Sequence, residues 1–317
     1  MAGPGCETYE DHAPSGGEPE PSGARISDFL TPTDRSEIAG NSWRRSPPVD
    51  RRLGTVSNAA GPTPAIGELR SRDGELLGPT EVFADSPRPR LELRLLGATP
   101  FQLVAEALVG THAGHRFSVN DPLFEAALLE VGARPIRRSC LMVLRPLRVA
   151  ASGSAPGTRA PGTDLVAMDT EDPGRYAGAL CRAFPPEHPD HDPDINDAAS
   201  ATDAIVRYFA GTIVGPFVAA ASAEARSPSG EAVGAIVISD MPADDSFEGG
   251  PWVTELFVDP AHQGRGIGRA LLAHAVGRLN DAGRSQLGLS VQLDNPAKRL
   301  YDEFGFITQS TWTTFVL

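Results

Sequence analysis

The run Glu255-Leu-Phe-Val-Asp-Pro-Ala-His-Gln-Gly-Arg-Gly-Ile-Gly-Arg-Ala-Leu-Leu272 reads as an apolar strand, a tight turn, a glycine-rich loop and the start of an amphipathic helix. Gln263, Gly266 and Gly268 give the spacing Gln-x-x-Gly-x-Gly. Glycines there let a backbone approach a bulky anion with no Cβ in the way. The loop opens a helix, whose first amides lack carbonyl partners and whose dipole is positive at that end. A pyrophosphate suits such a place.

Other glycine loops fit less well. A Walker loop needs Gly-Lys-Ser/Thr, and the one lysine of the chain, Lys298, stands on another segment. A dinucleotide-binding loop follows the first strand of a βαβ unit directly. Here Asp259-Pro260 and three further residues intervene, late in the chain.

A second segment, Leu289-Ser-Val-Gln-Leu-Asp-Asn-Pro-Ala-Lys-Arg-Leu-Tyr-Asp-Glu-Phe-Gly-Phe306, follows after a helix. Its short strand leads into Asp294-Asn295-Pro296, an N-cap with proline at the first helical position. Ala297, Leu300, Tyr301 and Phe304 then recur at helical spacing, and Gly305 stops the helix.

The two segments together, in this order, resemble the acetyl-CoA loop and following strand–helix pair of the GNAT acyltransferase superfamily, over residues 164–317. The resemblance implies an α/β (α+β) GNAT fold: a mixed, mostly antiparallel sheet flanked by helices. It implies acetyl-CoA as cosubstrate. Backbone groups of Leu256, Phe257 and Val258 would pair with the pantetheine arm. Amides of Gln263, Gly264, Arg265, Gly266, Ile267, Gly268 and Arg269 would cradle the pyrophosphate, with Arg265 and Arg269 adding charge. Asn295 would face the cofactor near its thiol end. Tyr301 stands where the family places the acid that protonates the leaving thiolate. A phenol suits this because its ordinary pKa near 10 keeps it protonated at neutral pH. The plain reading of Tyr301 is a filler of the apolar stripe beside Leu300 and Phe304.

A general base must take a proton from the attacking amine. Glu255 is the acidic residue inside the strand read at Trp252–Val258, where alternation puts it on one face with Val253 and Phe257. The histone-type members carry their glutamate a few positions earlier, where this chain has Trp252. Glu255 therefore reads equally as base or as an exposed or salt-bridged strand residue. His188, Asp190, His191 and Asp192 in the proline-rich run Phe184–Asp192 have ligand chemistry, but no helix fixes their spacing, so a solvated loop bordering the acceptor pocket is expected and no metal.

Bulk composition narrows the partners. A formal net charge of −13 argues against nucleic acid and anionic membrane surfaces, so an anionic cofactor must be held by local amides and arginines. No apolar run reaches membrane-span length. The start Met1-Ala-Gly-Pro-Gly-Cys-Glu has no signal-peptide character. Three scattered cysteines make no disulfide framework, and a cytoplasmic setting is expected. Scarce lysine with abundant Arg, Ala, Gly and Pro suggests a GC-rich bacterial source.

Residues 1–62, rich in Gly, Pro and Ser, are expected to be mostly disordered, and 151–163 reads as a linker. Residues 63–150 between them read β-α-β-α-β: strands at Leu91–Leu96, Arg116–Val119 and Pro135–Leu147, helices at Pro100–Val109 and Pro122–Val131. That order repeats the later half, and Ser118-Val-Asn-Asp-Pro122 leading to Gly132 echoes Ser290-Val through Asn295-Pro296 to Gly305. This half resembles a degenerate GNAT copy. Gly97-Ala-Thr-Pro100 stands where the glycine loop would be, and Ile66–Ala84 is short for the upstream strands. An unrelated small α/β domain is the rival reading. In the later half, strands are expected at Asp164–Thr170, Phe217–Ala225, Val233–Met241 and Ile307–Val316, with helices at Pro173–Ala183 and Ala201–Ala210.

The whole predicts an acetyl-CoA-dependent N-acetyltransferase acting on a small-molecule or peptide amine by direct transfer in a ternary complex. Its rivals are a non-catalytic acyl-CoA-sensing module and a mycothiol-synthase-like tandem acetyltransferase. The acceptor pocket is expected between the loops Ala183–Ser200 and Ala243–Pro251. Oligomeric state is not legible.

Overall fold

A computed structural model of the chain describes residues 51–53, 63–84, 89–147, 162–244 and 246–317. The described part lies within the unit Pro48–Leu317. Most of the expected N-terminal tail and of the linker lies outside the described residues. Arg51–Leu53, within that tail, is a strand (β1).

The order continues β2 (Ala65–Arg70), β3 (Leu76–Phe83), β4 (Arg90–Leu95), α1 (Phe101–Thr111), β5 (Arg116–Val119), α2 (Pro122–Glu130) and β6 (Arg134–Leu144). The second half runs β7 (Asp164–Val166), α3 (Ala177–Ala183), α4 (Ala198–Phe209), β8 (Ala223–Arg226), β9 (Ala232–Met241), β10 (Gly250–Val258), α5 (Ile267–Asp281), β11 (Leu287–Gln292), α6 (Lys298–Phe304) and β12 (Ile307–Val316). Among the described residues the strands form one sheet in the order β2-β3-β4-β5-β12-β6-β11-β10-β9-β8-β7, with β1 against β4. Its pairings are antiparallel except β4 with β5 and β10 with β11.

The order is palindromic in equivalent strands. Counting outward from the β12–β6 junction, β5, β4 and β3 mirror β11, β10 and β9. The final strand of each half has crossed over: β12 pairs with β5 and β6 pairs with β11. Local capping repeats as well. Asp121 before Pro122 accepts from the amides of Leu123 and Phe124. Asn295 before Pro296 accepts from the amide of Ala297 at 2.7 Å. Gly132 and Gly305, each at φ 90°, follow the two helices. The duplication read in the sequence is therefore present in the topology, and the short Ile66–Ala84 stretch is a hairpin turning at Gly74 (φ 85°).

Separate cores cover the sheet. Leu271, Leu272, Ala275, Val276 and Leu279 of α5 pack with Tyr301 and Phe304 of α6 on one face of the second half. Tyr176, Leu180, Ile205 and Tyr208 cover the other face around Val237 and Phe257. In the first half Phe124 stacks on Phe101, 4.8 Å between ring centroids, and meets Phe117 edge-on.

Four expectations need correction. The strand Phe217–Ala225 begins only at Ala223, because Ser222 folds the chain: its hydroxyl donates to Val218 O and accepts from Ile238 N. The first strand of that half stops at Val166, since the Asp169 carboxylate gathers the amides of Glu171 and Asp172 into a turn. The last helix starts at Lys298, not at Pro296: Lys298, Arg299 and Leu300 bond to carbonyls three residues back, a tighter entry turn. Pro173–Ala183 is a 3₁₀ turn, Pro173–Tyr176, followed by α3.

Candidate active site

Strands β10 and β11 are parallel neighbours but share one register pair, Trp252 with Gly288. A Cβ at Gly288 would lie 2.7 Å from Trp252 and 2.8 Å from Phe247, so only glycine allows this close approach. Beyond it the strands part. β10 stays with β9 as far as Val258 opposite Gly234, leaving its other edge open. The wedge is a cleft of ≈ 720 Å³ walled by β10, β11, the loop before α5, α6 and the segment 184–195.

One end of the cleft is the glycine loop. Asp259 accepts from the amide of Ala261 at 2.9 Å and is held by Arg182, starting the turn Pro260–His262. Gly264 and Gly266 take φ 73° and 79°, left-handed values that side chains resist. Gly266 leads directly into α5, so the amides of Ile267, Gly268 and Arg269 have no carbonyl within their own helix. The Gln263 side chain donates to Val258 O at 3.0 Å, bracing loop to strand end. Asp259 N donates to Val233 O, so alternation gives Phe257 to β9 and turns the backbone groups of Leu256 and Val258 toward the cleft.

At the other end is the titratable chemistry. Register shifts between Val253 and Glu255, a bulge at Thr254. Val253 lies in the α5 core while Glu255 sits opposite Val237, on the α3–α4 face. The expectation that Glu255 shares a face with Val253 is thus overturned, because the bulge resets alternation. Tyr208 of α4 donates to the Glu255 carboxylate at 3.2 Å. Burial raises the Glu255 pKa to about 7, with Asp190 and Asp192 adding to the rise and the bonds from Tyr208 and the Leu256 amide opposing it. Tyr301 lines the same cleft, and burial, with the charges of Glu255 and Asp190, holds its phenol protonated well beyond the ordinary tyrosine range.

These shapes have known counterparts. Residues 178–306 match the acetyltransferase (GNAT) family. Structural neighbours include a GCN5-related N-acetyltransferase from Sphaerobacter thermophilus, 15% identical with TM-score 0.54, covering 79% of each chain. A tandem GNAT protein from the clavulanic acid biosynthesis pathway is 17% identical with TM-score 0.51, covering 81% of this chain and 83% of that one. No curated protein matches. The second half has the GNAT fold.

Within the GNAT domain the predicted residues gather with some reassignment. Glu255, Leu256, Phe257, Val258, Gln263, Gly264, Gly266, Ile267, Gly268, Arg269, Asn295 and Tyr301 all line the one cleft. Arg265 turns back to Ala261 O at 3.1 Å, and Arg269 pairs with Glu303 of α6. Asn295 is already engaged: its amide donates to Asp190 and its oxygen holds the Ala297 amide. Asp190 also accepts from Gln292 N at 3.3 Å, tying the 184–195 segment to the end of β11. His191 Nδ1 contacts Phe184 O at 2.8 Å and His188 Nδ1 accepts from Asp190 N. Among the described residues no three His, Cys, Asp or Glu side chains are placed to hold a metal. The expected second acceptor loop, Ala243–Pro251, does not line the cleft; Phe247 instead packs against Trp252, Leu141 and Val143. Tyr208 was not anticipated, since its spacing with Ala201, Ala204 and Ile205 reads as plain core. Arg137 and Ser139, which also line the cleft, come from β6 of the other half; no local signal places them there. No described helix is long and apolar enough to cross a membrane.

Proposed function

We propose that the protein is an acetyl-CoA-dependent N-acetyltransferase passing an acetyl group directly to an amine. One observation carries the reading: a single cleft has unpartnered helix-start amides at one end and, at the other, a carboxyl titrating near neutrality beside a protonated buried phenol. The residues fit the cosubstrate. The open edge of β10 at Leu256 and Val258 suits the amides of an extended pantetheine arm, and the amides from Gln263 to Arg269 suit the pyrophosphate.

The bound cosubstrate supplies a thioester-activated acetyl group. Glu255, as carboxylate, takes a proton from the acceptor ammonium, freeing the nitrogen lone pair to form the new C–N bond. As the C–S bond breaks, the Tyr301 hydroxyl gives its proton to the departing sulfur; the second proton, shed by the acylated nitrogen, restores the phenol, and Glu255 passes its own to solvent. In this reading the Val258 amide polarises the carbonyl. Tyr208 holds the Glu255 carboxylate in place.

Calorimetric titration with acetyl-CoA, followed by thioester consumption across a panel of primary amines, tests this. Tyr301→Phe is expected to lower kcat by about 10²-fold or more with the acetyl-CoA Kd unchanged. Absence of binding overturns the reading. Binding without consumption of any amine would instead favour a ligand-sensing module.

A further inference from the structure

Strand β6 belongs to the first half by chain order, yet it lies against β11 of the GNAT domain, with Ser139 opposite Gln292. Ser139 and Arg137, two residues apart, share one face of β6. It is the face of Leu141 and Val143, which pack on Trp252. Trp252 faces Ser239 and Glu255 faces Val237, so all four β10 and β9 residues lie on that same side. Arg137 therefore enters the cleft from the wall that also bears Glu255, Asp190 and Asp192.

Arg175, Arg182, Arg226 and Arg269 each pair with a carboxylate. Arg137 has no ion pair among the described residues and makes one long hydrogen bond, 3.4 Å, to His191 O. Arg265 and Arg278 also bond only to backbone carbonyls, but neither lines the cleft, as Arg137 does. The nearby carboxylates are engaged elsewhere: Asp190 with Asn295 and Gln292, Asp192 with the Asp194 amide at 3.0 Å, Glu255 with Tyr208. Most of the guanidinium donors are left for a ligand, and their planar fork matches a carboxylate or phosphate.

We propose that the acceptor carries an anionic group beside its reacting amine, and that Arg137, supplied by the degenerate half, recognises that group. This rests on the acetyl-transfer reading above. The carboxylates of the cleft favour the acceptor's ammonium, while Arg137 favours its anion. A simple di- or polyamine would place a second cation against the guanidinium.

The test compares matched acceptors: amino acids and dipeptides as free acids against their amides, and phosphoethanolamine against ethanolamine, with putrescine as a dication. In the unmodified protein kcat/KM is expected to favour the anion-bearing member by about tenfold or more, as a partly exposed charge-assisted pair provides. Arg137→Gln should erase that preference through KM, with kcat on the neutral acceptors and the acetyl-CoA Kd unchanged. Arg137→Lys should restore part of it. The free-acid and phosphate arms identify which anion is read. The proposal is overturned by preference for amides or putrescine, by a preference that survives Arg137→Gln, or by acetyl-CoA binding with no anion-bearing acceptor consumed. Failure to bind acetyl-CoA would instead bring down the acetyl-transfer reading itself, and this proposal with it.

Discussion

At the residue scale the main consequence is for Glu255. Its carboxyl titrates near 7 in the folded chain against 4.5 ordinarily, and burial is the chief cause. Between those two values the unfolded chain has released a proton that the folded chain still holds. Rising pH across that window therefore favours unfolding, and above about pH 7 the cost is present in full. Glu255→Gln removes the titration. Thermal unfolding is expected to show little change near pH 4.5 and a Tm several degrees higher than the parent at about pH 8.5. The same substitution should abolish most turnover, since the base is gone. In the parent, kcat/KM should rise with pH through about 7. Tyr208→Phe removes a hydrogen bond that lowers the Glu255 pKa, so that limb should move to higher pH. A limb that stays put, or moves down, would refute Tyr208 as the residue tuning the base.

Among the elements, legibility followed locality. Helix α5 was readable because Leu271, Leu272, Ala275, Val276 and Leu279 repeat at its own period, and Gly264 and Gly266 mark a loop by backbone need alone. The cleft end made from one continuous segment was therefore visible in the sequence. Its other end was not. Thr254 becomes a bulge because β9 dictates the register, and no residue in Trp252–Val258 announces it. Tyr208 and Arg137 reach the cleft through packing and strand exchange, which leave no periodic trace. Two glycines separate the local from the non-local cause. Gly266→Ala meets no atom within 4 Å and suffers only from its dihedral, about 1 kcal/mol. Gly288→Ala drives a methyl into Trp252 and Phe247 and should cost about 1–3 kcal/mol by overpacking. Chemical denaturation measures both. Gly266→Ala is expected to weaken acetyl-CoA binding more than its small stability loss would suggest, while Gly288→Ala should do the reverse.

For the whole molecule, the exchange of final strands explains why a half without its own glycine loop is retained. β12 takes its partners from β5 and β6, and β11 takes one from β6, so each half's sheet is completed by the other. Thr313 to Val316 align with Val119 to Arg116, and Gln292 to Leu287 with Ser139 to Leu144. Residues 164–317 alone would leave the β11 edge bare next to Cys140's vacated place and strand β12 without both neighbours; such unpaired edges recruit other chains. A protease site placed between residues 151 and 161 tests the interleaving directly. After cleavage the two fragments are expected to co-elute as one species and to keep the parent Tm within a few degrees, because the strand ladders, not the connection, hold them. The GNAT half expressed alone should be insoluble or associate with itself, and co-expression with residues 48–150 should rescue it. Separation of the cleaved fragments under native conditions would show that the halves are independent domains, and would remove Arg137 from the cleft along with its half.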